Sequence, residues 1–180
     1  MSEAHRIVPF QPLDLAEPAA LVNAIRERRG GELLNLDRML LHSAPLASGW
    51  NGFLKQVREH MSLDPQLREL AMCGVAVLNA AEYEFNQHAP LFLKAGGTQA
   101  QLDALRLLGT ERFDAGAFRA LEADAAQLTL EMTRNIYVED ALMRRLQAAL
   151  GNQALVELVG TVAAYNMVSR FLVALQVTPE

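Results

Sequence analysis

Three observations predict an all-α fold in a single domain. Apolar residues recur at three- and four-residue spacing along nearly the whole chain, the period of one helix face. No five-residue run alternates apolar and polar residues as a half-buried strand does. The composition, 51% hydrophobic over 180 residues, is enough for one real core and tight for two. Seven prolines and eleven glycines fall mostly at segment edges, so they punctuate helices and do not form a linker.

Residues 1–17, with Pro9, Pro12 and then Pro18, read as an extended arm that ends where "EPAALVNAIRERRGG" starts a helix closed by Gly30 and Gly31. Arm and first helix make up residues 1–32, and residues 33–180 form the main helical domain. A second helix is predicted from Ala44 to about Met61. Asp64 and Pro65 supply an N-cap and a first-turn proline for "PQLRELAMCGVAVL", whose nearly featureless exterior predicts a central helix. Asn79 is expected to cap the next helix, with Glu82 three residues on as a capping-box partner. That helix runs to "KAGG", and Thr98 with Gln101 opens another. Longer helices follow near Ala115 to Arg134 and Val138 to Leu150. The last run, from Asn152, is apolar around much of its circumference and is either the core helix or a subunit interface.

The net charge is −5, with both signs interspersed, which argues against a nucleic-acid partner. The N-terminus lacks the basic and apolar regions of a signal peptide, and no window is read as a membrane span, so the expected compartment is the cytoplasm. The single cysteine, Cys73, excludes an intrachain disulfide, a Cys-x-x-Cys redox pair and a cysteine zinc cluster. Cys73 itself reads as a small buried apolar residue.

The stretch "NAAEYEFNQH", Asn79 to His88, concentrates chemistry. Glu84 and His88 stand four apart and share a helix face, so the carboxylate can orient the imidazole for proton transfer or form an ordinary helix salt bridge. Tyr83 offers a phenolic donor or an aromatic core residue. Glu69, among Leu70, Met72, Cys73 and Val77, is a carboxylate in apolar company; it is either buried and suited to acid–base work or paired with Arg68 at the surface. A metal needs a third ligand beside Glu84 and His88. His5, His42 and His60 lie in unrelated local contexts, so no metal and no cofactor are expected.

Glu69, then "AEYEFNQH" and "APLFLKAGGTQAQLDAL", with "LHSAPLASGWNGFLKQVRE" upstream and "ELVGTVAAYNMVSRFLVALQVTPE" at the end, together resemble the carboxymuconolactone decarboxylase and alkylhydroperoxidase D superfamily over residues 33–180. The resemblance implies an alkylhydroperoxidase D-like helical bundle that packs into obligate dimers, often assembled further into trimers or hexamers. The family's peroxidases carry a glutamate, then Cys-x-x-Cys, then a histidine four residues on. Glu69 matches the proton-relay glutamate and His88 the histidine, while Ala81 and Glu84 stand at the cysteine positions. Peroxide reduction needs an attacking thiolate and a resolving thiol, so that label does not carry its chemistry here. The decarboxylases have Glu-x-x-x-His on this helix, which Glu84 and His88 preserve.

The catalytic candidates are therefore Glu69, Glu84 and His88, for cofactor-free decarboxylation, isomerisation or hydrolysis of a small organic acid or lactone. Tyr83, Trp50, Asn166 and Arg170 are candidates for contacting it. Trp50, the sole tryptophan, can wall a pocket or an interface, and Asn166 and Arg170 share a helix face. The alternatives are an antioxidant protein relying on Cys73 and a partner's thiol, and a non-catalytic ligand-binding oligomer.

Overall fold

A computed structural model describes residues 7–180; residues 1–6, including His5 and the start of the arm, lie outside it. Among the described residues there are eight α-helices and no strand. The rest of the arm lies against the first two helices: Arg38 donates to Gln11 O, His42 Nε2 meets Pro9 O at 2.7 Å, and Arg26 donates to Leu13 O.

Helix α1 (Ala19–Arg29) ends as expected, with Gly30 at φ 84° and the Gly31 amide returning to Arg26 O at 2.8 Å, a left-handed stop that glycine adopts without a Cβ penalty. Helix α2 (Asn35–Leu40) was not expected. It is six residues long, too short for a periodic signal, and is held by Asp37, which accepts from the Leu34 amide and from Arg29 Nε at 2.9 Å. Helices α3 (Ala44–Glu59) and α4 (Pro65–Leu78) begin where local chemistry dictates. Ser43 Oγ accepts from the Leu46 amide, and Asp64 Oδ1 accepts from the Leu67 amide at 3.1 Å.

The start of α5 (Glu82–Lys94) corrects the capping-box reading. Asn79 closes α4, Ala80 turns through φ 53°, and the Ala81 amide bonds back to Ala76 O at 2.8 Å, so Ala81 is the N-cap. The Asn79 side chain points to α8 instead, donating to Ser169 Oγ at 2.7 Å and Asn166 Oδ1 at 3.0 Å. Glu82 is an exposed first-turn residue, where its charge suits the helix N-terminus. Helix α6 (Gln99–Leu105) has the predicted reciprocal box: Gln101 N donates to Thr98 Oγ1 and Gln101 Oε1 accepts from Thr98 N.

The predicted run from Ala115 is divided. Asp114 caps a 3₁₀ turn at Ala115–Ala117, Phe118 is extended, and α7 (Ala120–Asn135) starts anew beside Arg119 and Glu122. The buried Glu122 also accepts from Gln66 and Gln101, so one carboxylate ties α4, α6 and α7. Helix α8 (Asp140–Ala174) is interrupted at Gly151, φ 74° and ψ 174°, which is where the sequence divides it.

Helix α4 is the centre of the bundle, packed on α5, α7 and α8. Ten of its residues are buried, so its exterior is apolar on every side that a neighbour covers. Gly74 marks its closest approach to α7: a Cβ there would stand 3.1 Å from Thr129 Cγ2. Fully buried Leu70, Met72, Leu128 and Leu158 join the layers, each worth about 1.5–3 kcal/mol of transfer free energy. One point departs from the sequence reading: α8 is long and apolar enough to cross a membrane by length and composition. Within the fold its buried side includes Thr161, Tyr165, Val168 and Ser169; Thr161 meets Met61, Tyr165 accepts from Arg58 and Ser169 accepts from Asn79.

Candidate functional site

Helices α4 and α5 are joined by three residues, which brings Glu69 alongside His88. Their hydrogen bond, Nδ1 to Oε2, is 2.7 Å and buried. This corrects the expected pairing: His88 is held by Glu69 from the neighbouring helix, and Glu84 on its own helix makes no hydrogen bond to it. The i, i+4 spacing permits the Glu84 contact, but the inter-helix packing supplies a closer carboxylate. Arg68 Nε lies 3.5 Å from Glu69 Oε1, so the anticipated partner is present as well, against a carboxylate that is buried and not at the surface.

Glu84 is 2% exposed, and neither carboxyl oxygen has a hydrogen-bond partner among the described residues. Burial pushes its pKa well above the usual carboxylate range, opposed by the Arg58 charge, so it carries a proton where an ordinary glutamate has lost it. His88 moves the other way. Burial lowers its pKa, with the Glu69 hydrogen bond and charge resisting, so the imidazole is neutral at pH 7. A carboxylate opposite Nδ1 places the ring proton there, and Nε2, which makes no hydrogen bond among the described residues, keeps its lone pair.

Glu84, His88 and Tyr83 line one cavity of about 260 Å³ between α1, α3, α5 and α8. Its other charged walls are Arg28, Arg29, Lys55, Arg58 and Glu59. Glu69 faces a second opening on the far side of His88, bordered by Arg68 and Lys94; Arg58, His88 and Leu91 belong to both. His88 thus borders both cavities, with Glu84 lining the first and Glu69 the second. Tyr83 is buried, its hydroxyl 3.4 Å from Glu180 Oε1, and burial followed by that carboxylate's charge raises its pKa.

The remaining expected contacts are elsewhere. Trp50 packs on Phe171, with ring centroids 5.0 Å apart, and does not line this cavity, whereas its neighbour Asn51 does. Asn166 donates to Thr133 Oγ1 and Val162 O, and Arg170 donates to Asn166 O and Oδ1. Both serve the junction of α4, α7 and α8, because their face of α8 is not the one carrying Val168 and Leu172 to the cavity.

Two residues escaped the sequence reading. Arg58 Nε donates to Tyr165 Oη at 2.8 Å, and the Tyr165 ring meets the His88 ring edge-on at 4.9 Å. Tyr165 therefore braces both Arg58 and His88, its own pKa pushed up to about 12, chiefly by burial. The signal available was a lone tyrosine in the apolar run "VAAYNMV", which a buried helix accepts only if the hydroxyl finds a partner.

Cys73 is fully buried, and burial, then the charges of Glu69 and Glu84, push its thiol up. Native protein is therefore expected to leave Cys73 unmodified by a thiol reagent that labels it fully after denaturation; rapid native labelling contradicts this. Among the described residues, no three His, Cys, Asp or Glu side chains are grouped to hold a metal ion.

The whole-chain architecture is that of a known helical fold. It superposes on the crystal structure of an uncharacterized peroxidase-related protein from Silicibacter sp. TM1040 with a TM-score of 0.76 and 16% identity, covering 94% of this chain and 87% of that one. Residues 44–126 match the carboxymuconolactone decarboxylase family. The family likeness thus covers a little under half of the chain, and the likeness to the solved structure is one of fold. No curated protein matches it by sequence.

Proposed function

We propose that this protein is a cofactor-free acid–base enzyme acting on a small organic acid or lactone, by decarboxylation or isomerisation. The observation that carries the proposal is two buried groups on one cavity, Glu84 with no hydrogen-bond partner among the described residues and His88 tied to Glu69, whose burial shifts their pKa values in opposite directions. Environments that separate two pKa values in this way assign an acid and a base. In decarboxylation the C–C bond pair moves into a conjugated carbonyl as carbon dioxide leaves. Glu84 donates its proton to the developing oxyanion. The carbon then takes up a proton that His88 Nε2, tied to Glu69 through Nδ1, relays from solvent, while the enol returns its proton to Glu84, so the net step consumes one solvent proton. In isomerisation Nε2 removes a proton from carbon and returns it one position along.

The exposed Val156, Met167 and Val173 on α8 support a homodimer or larger homo-oligomer as part of this proposal, since apolar surface of that kind favours association. The lone buried thiol suits a reducing compartment, and the proposal places the protein in the cytoplasm.

The test is incubation of the protein in deuterated water with a series of carboxylated γ-lactones and unsaturated acids, following deuterium incorporation and carbon dioxide release. Turnover by the wild type that His88→Ala reduces by about 100-fold or more is expected. Equal turnover by the two proteins would remove His88 from the chemistry and overturn the proposal.

A further inference from the structure

We infer that Arg58 is the carboxylate anchor of the cavity, so that the ligand is an organic carboxylate bound with its uncharged, unsaturated part toward Glu84 and His88. The inference rests on the acid–base reading of the same cavity, and it specifies what that reading leaves open: which group of the ligand is recognised, and by what.

The first support is the way Arg58 is held. Its Nε is spent on Tyr165 Oη, and Tyr165 is fully buried, so the guanidinium is fixed from behind. Neither terminal NH₂ group has a hydrogen bond or ion pair among the described residues. A guanidinium fastened through Nε with both ends unused presents the planar fork that matches a carboxylate in a bidentate manner. The contrast with its neighbours is direct: Arg28 is bonded to Asn51 at 2.6 Å, and Arg29 is committed to Asp37.

Position is the second support. Arg58, His88 and Leu91 line both cavities. A carboxylate on the Arg58 fork therefore lies in the same cavity as His88 and Glu84. Charge is the third. The cavity wall carries Arg28, Arg29, Lys55 and Arg58 against Glu59 and the buried Asp37 that pairs with Arg28 and Arg29, which leaves Lys55 and Arg58 as an excess of positive charge in a protein whose net charge is −5. A neutral ligand would leave that excess unanswered, whereas an anion is drawn to it.

Furan-2-carboxylate and its neutral amide are suitable probes, being flat, ring-oxygen compounds that differ only in the charged fork. Binding is measured by calorimetry to wild type, Glu84→Gln, Arg58→Lys and Arg58→Met, with thermal melting to establish that each variant is folded. Wild type and Glu84→Gln are expected to bind the carboxylate, and the amide about tenfold more weakly or not at all. Arg58→Lys, which keeps the charge but not the fork, is expected to lose about tenfold and Arg58→Met more. Equal affinity for acid and amide, undiminished binding by folded Arg58→Lys and Arg58→Met, or no binding to wild type overturns the inference. The two ideas fail separately: turnover that survives Glu84→Gln and His88→Ala refutes the acid–base reading while leaving Arg58-dependent binding intact, and the converse refutes only the anchor.

Discussion

Glu84→Gln is expected to lower turnover by about 100- to 10,000-fold while leaving the fold intact, and Glu84→Met to abolish turnover while raising the melting temperature. The reason is that Glu84 is costly to the folded state. Its two oxygens are buried without partners among the described residues, and an unsatisfied buried polar group costs about 1–3 kcal/mol. An apolar side chain of similar length removes that cost, and about 1 kcal/mol corresponds to about 2–4 °C in a protein of this size. The pH dependence has a definite sign. Because burial raises the folded-state pKa above the ordinary 4.5, the native protein holds more protons than the unfolded chain above that pH. Stability is therefore full below 4.5 and declines as pH rises towards the folded pKa. Glu84→Met flattens that decline. A melting series across pH in which Glu84→Met is less stable than wild type at every value would show that the carboxyl supports the fold and would remove the argument for its role as an acid.

The second large effect is expected at Glu69. In Glu69→Gln, Arg68 Nε, 3.5 Å from Glu69 Oε1, favours the amide oxygen on its own side. That turns the NH₂ group toward His88 Nδ1, which must then accept, and the ring proton moves to Nε2. The base is lost although the geometry is kept, so turnover falls by about 100- to 10,000-fold. The residual activity carries a second signature. The Glu69 hydrogen bond and charge hold the His88 pKa up against desolvation; without them it drops further, and the acidic limb of the kcat/KM profile shifts to lower pH. Nitrogen NMR of the imidazole reads the tautomer directly. An unchanged tautomer with wild-type turnover would limit Glu69 to packing. Stability also follows: a histidine whose folded pKa lies below 6.5 binds fewer protons than the unfolded chain, so stability is lost as pH falls through that region, more steeply in the variant.

How much of this was legible in the sequence depended on how local each feature is. Asp64, Thr98 with Gln101, and Gly30 act within a few residues of themselves, and the helix ends they predict are present. Asn79 has the same local chemistry available but is recruited by Ser169, 90 residues away, a competitor no window on the sequence contains. Helix α2 escaped for a different reason: its partners are local, but six residues are too few for a periodic signal. At the site, the residue types Glu69, Glu84 and His88 could be read from the chain, but their connections could not. Spacing suggests Glu84 with His88, and only the packing of α4 against α5 gives Glu69 that place. Arg58 and Tyr165, 107 residues apart, are invisible until the fold brings them together.

The central burial of α4 has a consequence for how the site opens. Glu69 sits on the element most enclosed by the bundle, and His88 on the helix joined to it. Arg28 and Arg29 come from α1, of which only Val22 and Ile25 are buried. Amide protons on α4 are thus guarded by something close to global unfolding, whereas those of α1 exchange through far cheaper local excursions. The cavity has one wall that stays and one that can peel away, so a ligand can be admitted at the cost of a subglobal opening without Glu69 and His88 separating.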